Sequence, residues 1–550
     1  MKRKINCLFV LNLNFVKTTY KFFFLGFIFL SIYGCARRGR IEGGPKDVTS
    51  PLLVTADPPY ESVHFLKDRI KIYFDEYITL KDLNKQLVVS PPMKNPPIIT
   101  PQGTASKHIS IKILDTLLPN TTYIFNFGNA VQDNNEGNKL ESFKYVFSTG
   151  NYIDSLKTKG KVNDALLQKT QKNINVLLYR IDSTFNDSIV YNKKPNYVTN
   201  TLDTTNFSFS NLKKGNYLVV ALKEEINNYL FNPKIDKIGF LTDKIELPKD
   251  SILPLIITMF KEIQPYKFKK GKEVFKGKII FGFTGNRENI KIKLLSKAPK
   301  NFKSKYIFEK EKDTINYWFS PFKADSLNFI IYNNKITDTV TVKLRKKKTD
   351  SLLVNPSIRE VLHIKDTFFL KTNNPIIKID TSKITLTDKD TINIKFRSLI
   401  LKKENKVAIL FNKSEKQHYK LKFSPKALED IFSYKNDTLT YHFRTLEKDD
   451  YGKIILTINN EVSKHLIIEL LTEKGGFVER KFISTSKTIE FPNLLPKKYI
   501  IRAIIDRNKN KKWDTGNYLK KILPEKVVYF PKIIPLRANY YEYETFIIKK

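Results

Sequence analysis

The sequence predicts an all-β protein, built as tandem β-sandwich domains behind an N-terminal signal peptide. Three observations predict it. Short apolar runs alternate with period two, as in Ile70-Lys71-Ile72-Tyr73-Phe74 and Ile109-Ser110-Ile111-Lys112-Ile113. Turn-forming clusters such as Ser90-Pro91-Pro92 and Leu118-Pro119-Asn120 separate the runs. Phe (40) and Tyr (27) abound beside β-branched residues while alanine is scarce, which favours strands over helices. At 550 residues the chain exceeds the roughly 250–300 that one core serves, so several domains are required.

Taken in order, the first element is the apolar run Phe22–Ile32, preceded by Lys17 and Lys21 and followed by Gly34-Cys35. A positive leader, a short apolar stretch and a small residue at the cut describe a secretory signal peptide over residues 1–34. The run is too short for a transmembrane helix, which needs roughly 20 apolar residues. The junction resembles the bacterial lipobox, and the resemblance implies lipidation of Cys35 and attachment to a membrane through it. Cys7 lies in the discarded segment, so no disulfide can form within one mature chain. Residues 35–50 contain Gly39, Gly43, Gly44 and Pro45 and read as a flexible tether.

Formal charge is +41; cleavage removes Lys2, Arg3, Lys4, Lys17 and Lys21 and no acid, leaving +36. Such a field attracts acidic glycans and lipid phosphates. The lysines are dispersed through every segment, however, with tight runs only at Arg345–Lys348 and Lys509–Lys512. Nucleic acid is not an expected partner of an exported protein.

Residues 51–150 form the first β-sandwich by alternation, ending in Tyr145-Val146-Phe147-Ser148-Thr149-Gly150. Leu118-Pro119-Asn120-Thr121-Thr122-Tyr123, then Asp133-Asn134-Asn135-Glu136-Gly137-Asn138 and the closing Phe-Ser-Thr, resemble the bacterial Ig-like domain first described in S-layer proteins. Gly43-Gly44-Pro45-Lys46-Asp47 with Phe74-Asp75-Glu76 downstream resembles the Ig-like outer-membrane lipoproteins of the Bacteroidetes. The resemblance implies a fold and a location and brings no reaction. Residues 151–250 form a second unit, in which Asn211-Leu212, Gly215 and Tyr217 resemble the transthyretin-like fold. Residues 251–350 read as a further Ig-like sandwich, with Ile290, Ile292 and Leu294 alternating, as do Val340, Val342 and Leu344.

The remainder repeats the beginning. Tyr123 to Phe147 and Tyr419 to Phe443 are both 24 residues apart, and both closing phenylalanines begin Phe-x-Thr. Asn211, Tyr217 and Ala221 match Asn493, Tyr499 and Ala503 at a constant offset of 282. Residues 351–447 are therefore expected to be a second Ig-like domain and 448–550 a second transthyretin-like one, laid out as a string of beads.

Candidate chemistry is sparse. Asp506, Asn508, Asn510 and Asp514 place oxygen side chains at positions 1, 3, 5 and 9 of a loop, a pattern that resembles a calcium site. Lys511 occupies the position where glycine is usual, and Arg507, Lys509 and Lys512 oppose a cation. The alternative is a hairpin loop whose Asp and Asn side chains satisfy local amides. Asp133–Asn138 reads as a turn with Gly137 at positive φ. Six histidines are scattered and none shows the spacing His-x-x-x-His; no Gly-x-Ser-x-Gly elbow and no P-loop occur. Asp75 and Glu76 are adjacent on a strand and face opposite ways. Tyr540, Tyr541 and Tyr543 have the chemistry to stack on sugars, but in so aromatic a chain they read as core packing.

The expectation is a non-enzymatic, lipid-anchored outer-membrane protein that needs no cofactor, calcium at the Asp506 loop excepted. It would act as an envelope scaffold or interaction subunit with envelope proteins as partners. The rival is an adhesin that binds acidic glycan or lipopolysaccharide. Surface lipoproteins of the phylum resemble one another in acidic residues after the cysteine, whereas Arg37, Arg38 and Arg40 are basic here. That implies domains facing the periplasm.

Overall fold

The computed structural model describes residues 46–549, apart from 252–253, 286–288, 310–311, 335, 346–347 and 463. The expected signal peptide, Cys35 and residues 35–45 of the expected tether lie outside the described residues. No helix among those described is long and apolar enough to cross a membrane. Among the described residues the α-helices are the single turns Leu83–Gln86 and Ile189–Asn192. Everything else of regular structure is strand, apart from a few 3-10 turns, and the class is tandem Ig-like β-sandwiches, as expected.

Alternation becomes burial directly in the first unit. Ile70, Ile72, Ile109 and Ile111 are fully buried, while Lys71 and Lys112 point to solvent. One sheet runs Leu53–Asp57, Arg69–Leu80, Ser106–Lys112, Ile98–Thr100, with Val131–Asp133 on the end of the long strand. The facing sheet is Val88–Ser90, Thr122–Gly128, Phe143–Ser148, and Phe125, Tyr145 and Phe147 fill the space between.

The second unit is one eight-stranded sheet curled on itself. Its first strand, Leu156–Asp164, pairs in parallel with Leu255–Phe260, which lies past the boundary expected at residue 250. Its central strand Gly215–Lys223 reads apolar without alternation because both of its faces are covered. Tyr217, Val219 and Ala221 face the interior of the unit. Leu218, Val220 and Leu222 face a second cluster with Tyr179, Val190, Phe231 and Phe240.

The third unit packs Lys267–Phe275, Lys278–Thr284, Thr314–Phe319 and Ser304–Phe308 on Ile290–Leu294, Ser326–Asn333 and Ile336–Lys343. The fourth repeats the first: Val354–Pro356, Phe368–Thr372, Lys406–Phe411, Phe396–Leu401 over Ile384–Thr387, His418–Phe423, Leu439–Arg444. The fifth repeats the second, and Gly452–Asn460 again pairs in parallel with the last strand, Tyr541–Ile548.

The duplication extends to single hydrogen bonds. The Tyr123 hydroxyl accepts from Leu118 N at 2.9 Å, and that of Tyr419 from Ser414 N at 2.8 Å. The hydroxyls of Thr149 and Thr445, the Thr of each Phe-x-Thr, donate to the carbonyls of the same two residues at 2.7 and 2.6 Å. In the other pair, Tyr217 and Tyr499 donate to Lys213 O and Leu495 O at 2.8 and 2.7 Å. The repeated tyrosines are thus corner pins, each tying the start of a strand to the loop before it. Tyr123→Phe and Tyr419→Phe are each expected to cost about 1 kcal/mol. Native-state hydrogen exchange, which reads each unit separately, should show lost protection confined to the substituted unit.

One expectation is corrected. The chain is not a string of beads, because the fifth unit folds back onto the second. Tyr518 and Trp513 of the fifth pack into the outer cluster of the second. Tyr518 N donates to Glu262 Oε1 at 2.6 Å, Thr515 Oγ1 to Lys261 O at 2.7 Å and Arg502 to Leu166 O at 3.0 Å. Apolar side chains on both sides make the contact; sequence periodicity inside one unit carries no sign of it.

Candidate functional site

A concavity of about 950 Å³ with a polar lining opens between the first two units. Its floor is the outer side of Leu156–Asp164. Thr158, Gly160 and Val162 point into the core, so Lys157, Lys159 and Lys161 point out. Gly160 sits under Phe207, whose ring lies 2.5 Å from where a Cβ would stand, so only glycine fits. The neighbouring strand sets Asn206 opposite Lys161 and Ser208 opposite Lys159. The far wall comes from the first unit: Ile124, Asn126 and Lys144.

Lys144 reaches across to donate to Ser210 Oγ at 2.9 Å. Burial, then the charge of Lys157, holds its ammonium below the usual lysine value. Among the described residues no carboxylate lies within 4.0 Å of Lys144, Lys159 or Lys161, and Asp203 on the rim is engaged by Lys172 at 4.0 Å. The two walls are fixed to each other by Val198 N on Ser90 Oγ at 3.1 Å, Thr122 Oγ1 on Asp154 at 2.8 Å and Lys194 Nζ on Met93 O at 2.6 Å. The cleft holds hydroxyls, carboxamides and the ammonium groups of Lys144, Lys159 and Lys161, with the carboxylates of Glu141 and Asp203 also in its lining. These groups can recognise a ligand by hydrogen bonds and by charge.

None of these cleft residues was singled out by sequence reading. The alternation of Lys157, Lys159 and Lys161 was readable as one cationic strand face. That Lys144 of another unit meets it was not.

The structure does bring Asp506, Asn508, Asn510 and Asp514 together. Asp506 is buried and accepts from Asn510 N at 3.1 Å and Lys511 N at 2.9 Å. The carboxamides of Asn508 and Asn510 both donate to Asp514 Oδ2, at 2.6 and 2.7 Å. Glu525 closes the base, accepting from Arg507 N at 2.7 Å and Asp514 N at 3.2 Å. The four side chains converge to close the loop on itself, and the oxygens of Asp506 point at backbone amides. Among the described residues no group of three or more His, Cys, Asp or Glu is arranged to hold a metal ion. The second unit does the same with different residues. Glu224 accepts from Asn228 N and Tyr229 N at 2.8 and 2.7 Å, and Asp236 from Glu225 N and Asn232 N at 3.1 and 2.8 Å.

Burial holds the Glu224 carboxyl above its usual value, against the pull of hydrogen bonds from Asn175, Tyr229 and Asn228. A folded pKa above the unfolded one means the folded state takes up its proton first. The stability from this group is complete below the ordinary value of 4.5 and is lost as pH rises through the folded value. Glu224→Gln removes that dependence. Calorimetry should show the variant gaining on the parent in melting temperature as pH rises from 4.5 towards neutrality, and the reverse drift would refute the burial account.

Other candidates fall as follows. Asp133 is buried and accepts from Asn135 N and Glu136 N at 2.9 and 2.7 Å, and Gly137 takes φ +77°, so this segment is a tight turn. Tyr540, Tyr541 and Tyr543 are not core residues: they are 52, 58 and 68% exposed. Tyr540 lies just before the last strand, and Tyr541 and Tyr543 are among the odd positions that this edge strand turns outward. His418 and His442 lie on adjacent strands and share an outward face with Lys420 and Arg444. Cys35 lies outside the described residues.

Residues 47–149 match the family model described as bacterial Ig-like domain. No curated protein matches the chain. Among solved structures it is similar to domains 1–6 of the surface layer protein SbsC, at 11% identity over 89% of this chain and 68% of that one, with a TM-score of 0.16. It is also similar to the Bacteroides ovatus mixed-linkage glucan utilization locus protein SGBP-B, solved with a mixed-linkage heptasaccharide, at 10% identity, 68 and 93% coverage and a TM-score of 0.19. For BcpA, the major pilin subunit of Bacillus cereus, the values are 11%, 72 and 100%, and 0.15.

Proposed function

We propose that this chain, whose residues 47–149 match bacterial Ig-like domains, is a non-enzymatic outer-membrane lipoprotein anchored through Cys35 and facing the periplasm. It serves there as a scaffold or interaction subunit for envelope proteins. The observation that carries the reading is the closed frame. The fifth unit is fastened to the second through Tyr518, Thr515 and Arg502, with the third and fourth spanning between them. A chain fastened at both ends of a span holds its outer faces in fixed relation, which a binding platform needs and a flexible tether of domains does not supply. The lipobox-like junction and the basic residues after Cys35 support the location.

The test is made in cells. Palmitate should label the parent and not Cys35→Ala, with globomycin blocking maturation. Protease should digest the domains only after the outer membrane is opened. An unlabelled soluble product would refute the anchor, and digestion on intact cells would reverse the orientation. Cross-linking in intact cells should yield discrete adducts with envelope proteins; recovery of the uncross-linked chain alone would refute the scaffold role.

A further inference from the structure

The cleft between the first two units has no part in the scaffold reading. Its volume of about 950 Å³ suits an oligomeric small ligand. Its floor is ordered. Lys159 and Lys161, two residues apart on one strand, stand roughly 7 Å from each other. Ser208 and Asn206 form a parallel row on the paired strand, roughly 5 Å away. Lys144 closes the row from the opposite wall with a hydroxyl as its hydrogen-bond partner. Cations lie beside groups that both donate and accept hydrogen bonds, which is the complement of a polyhydroxylated anion.

Two alternatives fit less well. Phe207 and Phe209 are buried, 4% exposed each, so the cleft offers no aromatic platform for stacking. A peptide strand adding to the sheet would need free main-chain groups where the two walls meet. Ser208 O there accepts from Thr199 Oγ1, and Val198 N is held by Ser90.

We propose that this cleft binds an acidic oligosaccharide, with carboxylate or phosphate groups on Lys144, Lys159 and Lys161 and ring hydroxyls on Asn206 and Ser208. The shared chemistry is that of a free polyuronate or of the phosphorylated sugar headgroup of a glycolipid. The site is independent of the anchor and of any protein partner.

A chain of formal charge +41 attracts polyanions everywhere, so the test must separate the cleft from that background. Full-length protein in neutral detergent is titrated calorimetrically with tetragalacturonate, with lipopolysaccharide and with uncharged maltotetraose. At least one acidic ligand should bind with one-to-one stoichiometry, more weakly as salt rises, and at least about tenfold more tightly than maltotetraose. Lys144→Gln/Lys159→Gln/Lys161→Gln should weaken it about tenfold or more, and Asn206→Ala/Ser208→Ala about threefold or more, both with unchanged melting temperature. Lys420→Gln/Lys422→Gln, on the outward face of the fourth unit, should leave it unchanged. Tetragalacturonate alone assigns a polyuronate, and lipopolysaccharide alone a phosphorylated glycolipid. The proposal is overturned if neither binds, if the control pair weakens binding as much as the cleft lysines, or if the Asn206/Ser208 variant binds as the parent does.

Discussion

Tyr518→Ala is expected to release the fifth unit from the second, whereas Tyr518→Phe leaves the two docked. Tyr518 is fully buried, its ring meeting Phe240 edge-on at 5.3 Å and Tyr191 at 6.3 Å, with the Lys521 ammonium 4.3 Å from its centroid. Gly516, two residues earlier, approaches Phe260 so closely that a Cβ would lie 2.6 Å from the ring. Truncating a buried aromatic ring typically costs about 3–5 kcal/mol. Here most of that cost falls on the contact between units, because the ring belongs to the fifth and its pocket to the second. Scattering should show a larger radius of gyration, and hydrogen exchange should show lost protection at Leu218 and Val220. The hydroxyl, by contrast, has no hydrogen-bonding partner among the described residues, and burial pushes its phenol far above the usual value. Removing it relieves an unmet polar group, so the Phe variant should match or exceed the parent by up to about 1 kcal/mol. An Ala variant that stays compact and protected would show that the remaining contacts suffice.

Glu469→Leu should be the most damaging single change inside the fifth unit. The Glu469 side chain is 2% exposed and binds two guanidinium groups. Arg480 Nε reaches one oxygen at 2.9 Å and Arg502 Nε the other at 2.7 Å. Arg502 is 15% exposed and is also held by Leu166 O of the second unit and by Tyr529. Taking away the carboxylate strands a buried cation, for which about 3–5 kcal/mol is usual. Arg480 can turn outward, being 36% exposed; Arg502 cannot follow. Glu469→Leu/Arg502→Met should recover most of the loss, since an apolar pair of similar volume replaces a buried ion pair at little cost. Chemical denaturation of the three proteins measures it. A single variant as stable as the parent would place Arg502 in contact with water.

Much of the architecture was legible. Ile70, Ile72 and Phe74 announced a strand with one wet face; that the strand through Tyr217–Ala221 has none emerged only in the structure. The matched Tyr and Phe-x-Thr spacings marked true structural repeats, because those residues pin the same corners twice. What covered the outer side of Gly215–Lys223 was not legible, since Tyr518 lies in another unit and in a loop of ordinary polar composition. The cleft was hidden for the same reason: Lys144 and Lys159 are unremarkable in a lysine-rich chain until two sheets are set face to face. Tyr541 and Tyr543 misled in the other direction. Strand propensity says nothing about whether a last strand ends at an edge, and here it does.

The parallel pairing of Gly452–Asn460 with Tyr541–Ile548 has a consequence for timing. Phe546 and Ile548 are core residues of the fifth unit, so that unit cannot close until the stretch Tyr541–Ile548 has reached the place where the chain folds. The second unit, complete in its own strands by Phe260, keeps an apolar face open until Tyr518 arrives, 256 residues after the Glu262 it binds. Throughout that interval the folding chain carries an uncovered aromatic surface, the kind of surface at which aggregation starts, and docking of the fifth unit removes it.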